Sequence, residues 1–111
     1  MLCLCALFLL VAISLKLPTA EARGQCRTSG LGVSDLTATG TTCKMARSVA
    51  AHASKPLDSG GCAFLRNGLR TIKRPCVRLG YHCKPLFHSA SLRAYYVRCR
   101  KSEAVAIHFL L

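Results

Sequence analysis

Carboxylates are scarce in this chain. Its 111 residues hold four Asp and Glu, and beyond residue 22 only Asp35, Asp58 and Glu103 remain. Asp58 and Glu103 fall in stretches that read as turns, so there is little material for catalysis by paired carboxylates. Metal-ligand spacing is missing too. Four His are present, yet no C-x-x-C or H-x-x-x-H occurs, and six residues separate Cys76 from Cys83, so no zinc site is expected. There is no Gly-rich phosphate loop, and no Ser or Cys has the surroundings of an activated nucleophile. Repeats and low-complexity tracts are absent, and the length leaves room for one small core. A binding protein without a cofactor fits these absences better than an enzyme does.

Long apolar runs are limited to one. Leu2 to Leu15, apolar except for Ser14, make a stretch of 14 residues closed by Lys16, and Pro18 precedes the small residues Thr19, Ala20 and Ala22. A membrane span needs about 20 apolar residues. The expected reading of residues 1–22 is therefore a signal peptide, with Ala20 and Ala22 as the small residues at positions −3 and −1 of the cleavage site and Arg23 opening the mature chain. Arg23, Gly24 and Gln25 are the wrong residues to precede a lipid-bearing cysteine, so Cys26 is not expected to carry an anchor. The predicted protein is secreted and extracellular, with no stable membrane anchor.

Cysteine is what the chain has in excess. Cys3 and Cys5 belong to the predicted leader, and the single domain of residues 23–111 keeps Cys26, Cys43, Cys62, Cys76, Cys83 and Cys99. An even set in an exported domain is expected to form disulfides. A domain this small buries only about 60–65 % of its unfolded surface, and each bridge contributes roughly 2–4 kcal/mol. Six cysteines permit 15 pairings, among which the spacing does not choose.

Periodicity supplies the elements. Gln25 to Gly32 has no apolar period and reads as a tethered arm; Val33 to Ala38 reads as a short strand ended by Gly40. Thr41 or Thr42 caps a helix whose stripe of Cys43, Ala46, Val49, Ala50 and Ala53 has helical spacing. Pro56 stops it near Ser54, and Asp58 to Gly61 is a loop. In the 62–74 stretch, Asn67-Gly68 suggests a hairpin, but the pairing would mix both faces, with Arg66 beside Leu69 and Leu65 beside Arg70. A short helix separating Leu65, Leu69 and Ile72 from Arg66, Arg70 and Lys73 is preferred. After Pro75 the period becomes two: Val77, Leu79, Tyr81 and Cys83 inward, Arg78, His82 and Lys84 outward, ended by Pro85. Leu86 to Ser91 reads as a loop. A second alternation puts Tyr95, Val97 and Cys99 inward and Tyr96, Arg98 and Arg100 outward. After a turn at Lys101 to Glu103, a last strand carries Val105, Ile107, Phe109 and Leu111 on one face. The predicted class is α+β: a small disulfide-stapled domain with one main helix followed by an antiparallel β-meander.

Four strings, Thr42-Cys43-Lys44-Met45-Ala46-Arg47-Ser48-Val49-Ala50, Gly80-Tyr81-His82-Cys83, Tyr96-Val97-Arg98-Cys99-Arg100 and Ile107-His108-Phe109, resemble small secreted, disulfide-containing actinobacterial-type proteins of unknown function. The likeness covers residues 38 to 111 and includes Cys43, Cys83 and Cys99 but not Cys26, Cys62 or Cys76. It implies export, disulfides and the order of helix before strands, and it carries no activity.

The strongest feature is positive charge, with a formal net charge of +12. Arg66, Arg70, Lys73, Arg74, Arg78 and Lys84 form one stretch and Arg93, Arg98, Arg100 and Lys101 another. Such charge favours anionic partners through long-range attraction and counterion release. The outward row Tyr96, Arg98, Arg100 and Lys101 is the candidate polyanion-binding edge, with Tyr96 available to stack on a base or sugar. The expected function is binding of extracellular or cell-surface polyanions. A charged face that merely keeps the protein soluble is the competing reading. Three other classes are open: a membrane-active antimicrobial protein using 62–74 as an amphipathic face, a protease inhibitor presenting Lys84 to Ser91 as a braced loop, and a ribonuclease-like enzyme drawing on His52, His82, His88 and His108.

Overall fold

In a computed structural model the residues described are 23–111; the predicted signal peptide lies outside them. Thr42 takes extended geometry and its Oγ1 accepts a hydrogen bond from Met45 N at 3.1 Å, which starts helix α1, Cys43–Ser54. Lys55 is extended ahead of Pro56, so the helix ends there. The face α1 buries is Ala46, Val49, Ala50 and Ala53, side chains small enough to let the helix lie close to its neighbours.

Those neighbours are strands. In chain order they are β1 (Arg23–Gln25), β2 (Ser34–Thr39), then after α1 and a 3-10 turn at Leu57–Ser59, β3 (Ala63–Arg66), β4 (Leu69–Ile72), β5 (Cys76–Arg78), β6 (Tyr81–Ser89), β7 (Ala94–Ser102) and β8 (Val105–Leu110). Six form one antiparallel sheet in the order β1-β2-β8-β7-β6-β5, and β3-β4 is a separate hairpin. The meander β5 to β8 follows the chain, while β2 closes on β8 from before the helix. The domain is thus a small disulfide-stapled α+β fold.

Alternation fixes the faces. Leu36, Ala38, Tyr81, Cys83, Val97, Cys99, Ile107 and Phe109 are buried and join α1, Ala63 and Ile72 in one core. Across this inner face Cys76 stands opposite Cys83, Cys83 opposite Cys99, Cys99 opposite Ile107 and Ile107 opposite Ala38. Among the described residues the three disulfides are Cys26–Cys43, Cys62–Cys76 and Cys83–Cys99. The first ties the arm after β1 to the start of α1, the second ties the β3-β4 hairpin to the sheet, and the third joins β6 to β7. The arm is held further by the Arg47 guanidinium, which donates to Arg27 O at 2.6 Å and Ser29 O at 3.2 Å, and by Ser54 Oγ donating to Leu31 O at 2.9 Å.

Four expectations are corrected. The 62–74 stretch is a hairpin, not a helix. Asn67 (φ 53°) and Gly68 (φ 80°) make the reversal, and the pairs are the mixed ones, Leu65 with Arg70 and Arg66 with Leu69. The hairpin is held at its base, where Ala63 faces Ile72 and both are buried beside Thr71, and further out by Arg70, which donates to Gly32 O. Leu65 is 71 % exposed and the turn residues Asn67 and Gly68 are exposed as well, so segregated faces are not required there. Second, the strand after Pro75 is two strands. Leu79 (φ 52°) and Gly80 (φ 84°) reverse the chain, and Val77 and Leu79 are each 48 % exposed rather than inward. Third, Pro85 does not end its strand, and the expected loop Leu86 to Ser91 is largely strand: β6 continues to Ser89. Strand β5 stops opposite Cys83, so among the described residues β6 is an edge at Pro85, where the missing N–H breaks no ladder. Fourth, β7 runs through Ser102, past the turn expected at Lys101 to Glu103.

Candidate functional site: a basic groove on the outer sheet face

On the face away from the helix, the register builds a ladder of cross-strand pairs. His82 stands opposite Arg100, Lys84 opposite Arg98, and Phe87 opposite Tyr96. Arg98 in turn faces His108 on β8. Between the first two rungs lies an open groove of about 500 Å³ lined by His82, Lys84, Arg98, Arg100, Lys101, Ser102 and Glu103. Four of these side chains are Lys or Arg and one is a carboxylate. A smaller recess of about 210 Å³ adjoins it, shares His82 and Lys84, and adds Arg74. Arg74 Nη2 donates to Pro85 O at 3.4 Å, which places its charge at the β6 edge.

The four candidate residues of the sequence row do not all stand alike. Arg98, Arg100 and Lys101 line the groove. Lys101 leaves the strict alternation, because the register shifts between Arg100 and Ser102. Its Nζ lies 5.8 Å from the centre of the buried Tyr81 ring, a cation–π distance that holds the side chain at the groove's end. Tyr96 stands one rung further on, outside the groove lining. Phe87 lies against it with centroids 5.1 Å apart and planes within 6°, and His108 approaches at 5.7 Å from the β8 side.

His82, Lys84 and Phe87 complete this face. The first two stand on the outward side that alternation predicts; Phe87 falls in the stretch Leu86 to Ser91, which reads as a loop. The signal available for Phe87 was the uninterrupted Leu86-Phe87-His88 run directly after Pro85, which an edge strand accommodates. The other basic residues are dispersed. Arg66 and Arg70 lie on the hairpin, and Arg70 donates to Gly32 O at 2.6 Å. His82 and His108 share the outer face but are separated by β7, about 12 Å apart at Cα from strand spacing and rise, too far to share a proton directly. His52 lies on α1 and His88 pairs with Tyr95. The segments behind two alternatives also differ from expectation: 62–74 is a hairpin and Lys84 to Ser89 is strand.

Among the described residues no helix is long and apolar enough to cross a membrane, and no group of three or more His, Cys, Asp or Glu is placed to hold a metal ion. Compared with known protein families, curated proteins and solved structures, the chain matches none.

Proposed function

We propose that the protein is a secreted, disulfide-stapled binding protein, not an enzyme, and that the groove between β6 and β7 takes up anionic groups of an extracellular or cell-surface polymer. The observation that carries this reading is the convergence of Lys84, Arg98, Arg100 and Lys101 around one open groove, with Glu103 as the one carboxylate among the described residues that line it. Cations held this close repel one another, and an anion in the groove relieves that repulsion while releasing its own counterions. Three disulfides fit an oxidising extracellular setting. The likeness to small secreted actinobacterial-type proteins belongs to this reading and adds no activity.

Retention on heparin and nucleic-acid columns tests it. Arg98→Glu with Arg100→Glu should lower the eluting salt concentration sharply and flatten log affinity against log salt by about one unit for each phosphate or sulfate group left without its cation. Arg66→Glu with Lys73→Glu changes net charge equally on another element and should have the smaller effect. Equal losses from both pairs would mean a diffuse cationic surface without a site. Intact mass of the exported product should begin at Arg23; a product retaining Met1 would count against export.

A further inference from the structure

The rung beyond the groove is aromatic, and its position depends on an irregularity. From Cys83–Cys99 to Pro85–Val97 the register is regular, and continuing it would set Leu86 opposite Tyr96. The shift between Pro85 and Phe87 inserts one residue, so Phe87 takes the outer position instead. Bulges commonly re-aim a side chain in this way. The result is a line of rings across three strands, His108, Tyr96 and Phe87, that ends at Phe87. Among the described residues no strand of the sheet lies beyond Phe87, because β5 stops opposite Cys83. One face of the Phe87 ring covers Tyr96, and the residue is still 56 % exposed. Arg74, at the Pro85 carbonyl, and Lys84 put cations on the same edge.

We propose that the open face of Phe87 is a stacking platform for a base of single-stranded nucleic acid whose phosphates lie along Lys84, Arg98 and Arg100. The proposal rests on the anion-binding reading above and narrows the polymer to one that alternates anionic groups with flat rings. Phe87 and Tyr96 already lie nearly parallel, so a planar base extends an existing stack. A puckered sugar ring can pack on such a face only through its C–H groups and does not extend the stack as a flat ring does. Basic grooves flanked by aromatic side chains bind single strands in this manner with little sequence preference. Alternation along the sequence favours Tyr96 for stacking; the structure gives that ring Phe87 on one side and His108 on the other, and leaves Phe87 as the terminal ring.

The test compares three probes on the protein with its disulfides formed: a short oligothymidylate, a heparin fragment and inorganic polyphosphate. The chain has no Trp, so tyrosine is its emitter, and a base joining the stack should quench Tyr96. Phe87→Ala should weaken oligothymidylate binding about tenfold, the size of one base–aromatic stack, and leave heparin and polyphosphate within about twofold. Phe87→Leu keeps an apolar side chain on the sheet without a π face. It should give the same selective loss if the alanine variant proves poorly folded, whereas Phe87→Tyr should retain binding. Unchanged oligothymidylate affinity in Phe87→Leu, or an equal loss for heparin, overturns the stacking proposal while the groove stands. If the wild-type protein binds none of the three probes at low salt, the groove reading fails as well.

Discussion

Phe87 and Tyr96 stand opposite one another on the outer face, rings 5.1 Å apart and within 6° of parallel. Both are accessible enough for the pair to be dissected. Aromatic pairs of this kind add about 0.5–1.5 kcal/mol beyond burial, so a double-mutant cycle of Phe87→Leu and Tyr96→Leu, followed by urea unfolding, should return a coupling of that size. Strictly additive losses would show two rings that are adjacent without interacting.

The Cys26–Cys43 bridge, at a sequence separation of 17, closes a loop between the arm and the helix start. Replacing both cysteines by Ala should destabilise the fold by about 3 kcal/mol, a fall in Tm of roughly 12–24 °C for a domain of this size. Arg47 and Ser54 still hold the arm, so the far-UV spectrum should remain that of the wild type below the transition. Thiol labelling of the denatured, unreduced wild-type protein should find no free sulfhydryl among the six cysteines after residue 22, and two or more labelled would contradict the pairing described.

Gly40 and Gly68 share positive φ, 72° and 80°, but differ in what surrounds them. A Cβ on Gly68 meets open space, whereas one on Gly40 runs into the Ala104 carbonyl in the β7-β8 turn. Gly68→Ala should therefore cost only the left-handed backbone, about 1 kcal/mol. Gly40→Ala must also separate β2 from the β7-β8 turn and should cost at least about 2–3 kcal/mol. Equal falls in Tm would show that the close approach at Gly40 relaxes without consequence.

Helix α1 was readable because three signals agree on it: the Thr42 cap, the apolar stripe from Ala46 to Ala53, and Pro56 beyond its end. β7 and β8 were readable because Val97, Cys99, Ile107 and Phe109 alternate with no interruption. The misreadings lie where the chain is only half committed to the core. Arg66-Asn67-Gly68-Leu69 forms its turn in solvent, so the demand for an apolar face, which favoured a helix, does not act there. Leu79 takes a positive φ that leucine rarely adopts, hiding a reversal inside what looks like a continuous strand. In the candidate site, Arg98 and Arg100 followed directly from alternation. Phe87 did not, because a one-residue bulge changes face and leaves no mark in the period.

His52 lies in the last turn of α1, where the helix dipole ordinarily favours a cation. Burial opposes protonation most, followed by the charges of Arg78 and then Lys55, and together they lower its pKa. In the unfolded chain the imidazole titrates near 6.5. Between the lowered folded value and 6.5 the unfolded state therefore binds more protons than the folded state, so stability rises with pH across that window and falls as the solution is acidified through it. Above about pH 7 this residue adds no further slope. His52→Gln should remove that share of the acid-side loss, and Arg78→Gln should reduce it by removing a repelling charge. Urea midpoints of the three proteins at pH 7.5 and pH 5 give the comparison: the wild-type drop should exceed that of His52→Gln, and equal drops would show that His52 does not couple protonation to folding.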